Sequence, residues 1–97
     1  MTTTQTRQEY VTKMQQKLDE WNKQIDTLEG RVSTATGPAK ETLREQLDKV
    51  RHHYDEGRKK VDEIQEAGES SWHKLRDEAE NIWDAMRHSI SYFRSQV

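Results

Sequence analysis

From Val11 onward the apolar positions step by three and four in strict alternation: Val11, Met14, Leu18, Trp21, Ile25, Leu28, Val32 and Ala35. This is a heptad a/d seam sustained for more than three heptads, and it predicts a helix over about residues 5–36. A strict heptad seam drifts by about 20° per heptad on a straight helix, so a left-handed supercoil is expected. Glu9–Lys13 and Asp19–Lys23, acid-to-base pairs four apart, decorate the outside. Gly30 lies off the seam and weakens the helix by up to about 1 kcal/mol without breaking it.

The stretch STATGPAK, residues 33–40, is the one clear break. Gly37 suits the position after a helix C-cap, and Pro38 suits the first turn of the next helix. So short a connection makes the following helix antiparallel to the first. A second stripe then runs through Leu43, Leu47, Val50, Tyr54, Gly57, Val61 and Ile64, with Glu45–Lys49, Asp55–Lys59 and Glu56–Lys60 outside it. It continues with Gly68, inside EAGESS, and then Trp72, Leu75, Ala79, Ile82, Met86, Ile90 and Phe93. At about 100° per residue, both parts of this stripe fall in one window roughly 100° wide. The 4, 4, 3 spacing at Ile64–Gly68–Trp72–Leu75 reads as a stutter, which unwinds a supercoil locally without ending a helix.

The phase argument therefore predicts one helix over about residues 38–95, some 85 Å long. The alternative is a turn at Gly68, within residues 67–71, with Ser70 or Ser71 as N-cap, which gives a monomeric three-helix bundle. In the first reading the whole of residues 1–97 is a single all-α module, an antiparallel hairpin with a long second helix. Residues 11–32 and 43–64 close the hairpin seam. The stripe from Gly68 to Phe93 has no cover in its own chain and becomes a self-association seam for a homodimer, in a domain-swap relation to the monomeric bundle, with Ala67–Gly68 at the crossing point.

Composition agrees with a narrow seam and not with a broad core. Leu, Ile, Val and Phe together make only 15 of 97 residues, and 35% of the chain is charged. The net charge is just −2, with both signs interspersed, so the chain reads as exposed helix surface and not as a like-charged disordered tail. No basic field invites nucleic acid. Cysteine is absent, which removes disulfide and thiolate chemistry. MTTTQTRQEY has no apolar core region of the kind a secretory signal needs, and no run reaches the ~18 apolar residues of a membrane span. A cytoplasmic location is the expectation.

EYVTKMQQKLDEWNKQIDTLEGR, REQLDKVR and AGESSWHKLRDEAENIWDAM resemble a family of small bacterial coiled-coil proteins described as stress-response or apolipoprotein-like. The pattern LDEW followed by IDTL carries the likeness, as do Trp72, Leu75, Trp83, Asp84 and Met86. It spans most of the chain. The resemblance implies a helical, oligomeric protein without assigned activity, and it brings no catalytic residues. The histidines and the SYFRSQV ending depart from the pattern.

Candidate chemistry is sparse. His73–Asp77 and Asp84–His88 have the i, i+4 spacing of helix metal ligands, but each pair supplies two ligands where a site needs three or four. His52 and His53 are adjacent, and His73 and His88 fall outside the stripe, so surface histidines are expected and no metal or cofactor is assigned. No Glu-x-x-His motif sits on the stripe and HEXXH is absent, which leaves no di-iron or zinc-hydrolase arrangement. No catalytic residue is assigned. Trp72 and Trp83 lie on one flank of the stripe and Tyr92 off it. Their spacing is that of a packed seam; the alternative is an amphipathic face laid on a membrane or a hydrophobic granule. Lys74, Arg76, Arg87 and Arg94 against Asp77, Glu78, Glu80 and Asp84 leave that face without cationic attraction to anionic lipid, which disfavours the membrane. The expected function is thus that of a structural or interaction protein, set in a stress response by the resemblance, whose one identifiable partner is itself.

Overall fold

Thr6, followed three residues later by Glu9, opens the first helix. Its hydroxyl accepts from the Glu9 backbone N–H at 3.1 Å and donates to Glu9 Oε1 at 3.1 Å, a capping arrangement that satisfies an otherwise orphaned donor. The structure, a computed structural model, describes residues 6–95 and divides them into α1 (Arg7–Thr34), α2 (Pro38–Glu66) and α3 (Trp72–Ser95). These form an all-α bundle, with no strand among the described residues. The expected start of the first helix at residue 5 lies outside the described residues.

The first connection has the geometry its residues demand. Gly37 sits at φ 65°, ψ −152°, a region that is essentially glycine's alone, and Pro38 follows at the start of α2.

At residues 67–71 the structure departs from the favoured expectation. The single helix over 38–95 is not formed; α2 stops at Glu66 and α3 starts at Trp72. Gly68, Ser70 and Ser71 are all weak helix formers, and serine offers the backbone a competing bond. The Ser71 hydroxyl takes that option, donating to the Gly68 carbonyl at 3.3 Å beside the Ser71 and Trp72 N–H groups, at 3.1 and 3.2 Å. The guanidinium of Arg7 reaches the Ala67 carbonyl, so the start of α1 lies beside the end of α2. The molecule is 52 Å in its longest dimension, where an uninterrupted helix would span about 85 Å.

Folding α3 back changes what its stripe does. Trp72, Ala79, Met86, Ile90 and Phe93 are buried within their own chain, and Leu75 and Ile82 pack partly buried against the same cluster. These residues do not form an uncovered seam. The hairpin-seam positions Val11, Met14, Leu18, Trp21, Ile25, Leu28, Val32, Leu43, Leu47, Val50, Val61 and Ile64 are buried in that one core, with Tyr54 partly so. The common phase of α2 and α3, which argued for continuity, does not require it, because two helices that each turn one stripe toward a shared core can keep that phase without being joined. α2 packs against both of the others.

The close helix approach lies elsewhere than expected. Gly68 is exposed, with open space where a Cβ would stand, so it is no crossing point. Gly57 is the tight position: a Cβ built there would meet the Trp83 ring at 2.6 and 3.0 Å. The stripe on α2 thus carries a glycine because an indole of α3 lies against its backbone.

Candidate functional site

Polar and aromatic chemistry gathers in three places. The first is a polar thread through the bundle. Trp83 Nε1–H donates to the Tyr10 hydroxyl at 3.2 Å, and that hydroxyl donates to Glu80 Oε1 at 3.2 Å. Tyr10 and Trp83 are 2% and 0% exposed, so the thread runs from the core to the solvent edge at Glu80. Aromatic rings surround it. Tyr10 and Trp72 have centroids 6.0 Å apart, Trp21 and Trp83 4.8 Å, and the Arg76 guanidinium lies 5.5 Å over the Trp72 ring.

Burial pushes the Tyr10 phenol up to about 12 from an ordinary value of 10, with the bond from Trp83 opposing the rise and the negative Glu80 reinforcing it. The neutral hydroxyl is therefore the form the fold holds. The unfolded chain loses the Tyr10 proton near pH 10, and the folded chain keeps it to about 12. Stability is thus fully present below pH 10 and falls as pH rises toward 12. Urea midpoints measured from pH 9 to 12 should show this fall in the natural chain and a shallower one in Tyr10→Phe; equal slopes would mean the phenol is not held neutral.

The second place is His52, His53 and Glu56 on α2. Glu56 Oε1 stands 3.3 Å from His52 Nε2 and 3.2 Å from His53 Nδ1, so one carboxylate oxygen serves both rings. His52 is well exposed and His53 partly buried. His73 and His88 are exposed, on α3. No group of three or more His, Asp or Glu among the described residues is arranged to hold a metal ion. Micromolar zinc or copper should accordingly leave helicity and melting temperature unchanged, because exposed two-ligand arrangements are not preorganised. A rise of several degrees in Tm on adding either metal would refute this.

The third is the set of shallow clefts between helices. One lies between α1 and α3, lined by Trp21, Gln24, Arg87, Ile90, Ser91 and Arg94; others are lined by residues such as Gln15, Asp19, Tyr54, Arg58 and Asp62. They are open, and in the first of them Arg94 donates to Gln24 Oε1 at 3.1 Å. Lys60 bridges α2 and α3 through Glu78 at 2.7 Å, and not the Glu56 that heptad spacing proposed. Its bond to Glu78 raises the Lys60 pKa and lowers that of Glu78. Among the described residues no buried side-chain nitrogen or oxygen is left without a partner.

The residues that sequence spacing missed are Tyr10 and Trp83. Neither lies on an a/d seam. Each of them borders one, Tyr10 next to Val11 and Trp83 next to Ile82. A two-stranded seam needs only a and d; a helix in a three-helix bundle faces two neighbours and buries a flanking position too. The flank position noted for Trp83 was the available signal. Among the described residues no helix is long and apolar enough to cross a membrane. The chain matches no family model, no curated protein and no solved structure.

Proposed function

We propose that this chain is a non-catalytic structural or interaction module whose partner is a second copy of itself. The supporting observation is where the chemistry-bearing side chains go. The large aromatics of the core and the Tyr10 hydroxyl are consumed in holding three helices together, and among the described residues Tyr92, at 50% exposure, is the one large hydrophobic that is exposed. What remains outside is a mixed-charge helical surface, the kind that meets other helices. In this reading α1 and α2 form an antiparallel hairpin with coiled-coil-like packing, and α3 completes it. The resemblance of the LDEW and IDTL segments to stress-response coiled-coil proteins is what supports setting the module in a stress response. The reading of α3 as a lipid-binding face has less support, because Trp72, Trp83 and Phe93 would have to leave the core to reach a membrane.

Light scattering over a micromolar-to-millimolar series tests the proposal. Mass rising from 11.5 kDa toward twice that value is expected. A mass fixed at 11.5 kDa throughout, together with flotation on neutral and anionic vesicles and a blue-shifted tryptophan emission, would replace it with the lipid reading.

A further inference from the structure

Resting on the self-association reading, we infer that two copies associate by exchanging α3, with residues 67–71 straightening into the helix that joins α2 to α3. Three observations meet here. First, the apolar stripe keeps one helical phase from Leu43 to Phe93, although a chain that reverses at 67–71 has no need of it. Straightening the connection therefore delivers α3 to a partner with its stripe correctly turned. Second, the connection carries no conformation that ties it to the turn. Gly37 is the one positive-φ residue among those described, Ala67 sits at φ −74°, ψ 150°, and Gly68 has open space around its Cβ position. Becoming helical asks only for ordinary backbone rotations. Third, the surface that α3 leaves is the surface it would occupy on the other copy, so the contacts between α3 and the α1–α2 face reform, Lys60–Glu78 and Trp83–Tyr10 included, and only bonds at the turn itself are given up. The first connection offers no such exchange, because Gly37 at φ 65° fixes its turn.

The partner is thus a second copy, its docking surface is the α1–α2 face beneath α3, and the 67–71 connection sets the balance. Substituting Gly68→Ala, Ser70→Ala and Ser71→Ala together raises helix propensity there and should shift the population toward a 23 kDa dimer, twice 11.5 kDa. Glu69→Pro should hold the chain at 11.5 kDa, since proline fits the turn and not a helix interior.

A distance separates exchange from side-by-side pairing. Lys49 and His88 line the same cleft when α3 is folded back. In a continuous helix they stand roughly 58 Å apart. Spin labels at Lys49→Cys and His88→Cys, in chains diluted with unlabelled copies, read that distance by pulsed EPR in the isolated dimer. A separation near the long value supports exchange. A dimer that keeps the labels close overturns exchange while leaving self-association intact. Chains that stay at 11.5 kDa in both the natural sequence and the triple-alanine variant overturn both.

Discussion

Replacing Trp83 by alanine should cost about 3–5 kcal/mol, the range for emptying a buried aromatic site. Trp83 is 0% exposed, its ring lies against Gly57 of α2 and 4.8 Å from the Trp21 ring of α1, and its Nε1–H binds Tyr10. One side chain of α3 thus touches both other helices. For a chain of this size 1 kcal/mol moves Tm by about 4–8 °C, so a fall of more than 12 °C is expected. Trp21→Ala, 7% exposed in the natural chain, should cost less than Trp83→Ala, and the double variant should lose less than the sum because the two rings share a contact. Calorimetry on the three variants checks it; additive losses would mean the rings do not pack on one another.

Gly57→Leu is the second large effect, and its sign runs against helix propensity. Leucine is a better helix former than glycine by almost 1 kcal/mol, and an exposed glycine replaced in this way would stabilise. Here the new Cβ alone would stand 2.6 Å from Trp83, whose indole is held on another edge by Tyr10. The ring has nowhere to swing, and the substitution should cost toward the upper end of about 1–3 kcal/mol. Gly68→Leu, with open space around it, serves as the contrast and should not destabilise. A Gly57→Leu chain that melts at or above the natural temperature would show that Trp83 does not lie on the α2 backbone.

Much of the bundle was legible in the sequence. The strict three-four alternation from Val11 to Val32 marked α1, and Gly37–Pro38 marked the first turn, because a heptad seam and a positive-φ glycine each have one structural reading. The second connection was not legible from phase. Ile64, Gly68 and Trp72 can keep step whether the chain continues or reverses, since phase records which side faces the core and not how many helices face it. What decides it is an energy that periodicity does not contain: three weak helix formers at 68, 70 and 71, together with the gain of burying Trp72 to Phe93 without ordering a second chain. The same blindness hid the Tyr10–Trp83–Glu80 thread. Its members are divided between α1 and α3, and each lies just outside the stripe that its own helix displays.

That thread bears on how the chain avoids degeneracy. A seam of Val, Leu, Ile and Met repeats itself every heptad, so one helix can slide along another by a turn or two and still find apolar neighbours. The sliding of α3 past α1 by one turn, about 5.4 Å, would leave the Trp83 N–H and the Tyr10 hydroxyl buried without each other. Their bond therefore works as a ruler, penalising every registration but one. Tyr10→Phe leaves the buried Trp83 N–H unpaired in every registration, so it should lower the melting temperature by several degrees and, with the ruler gone, broaden the transition and the side-chain NMR lines. Sharp lines from a single conformer in that variant would assign the ruler to shape alone.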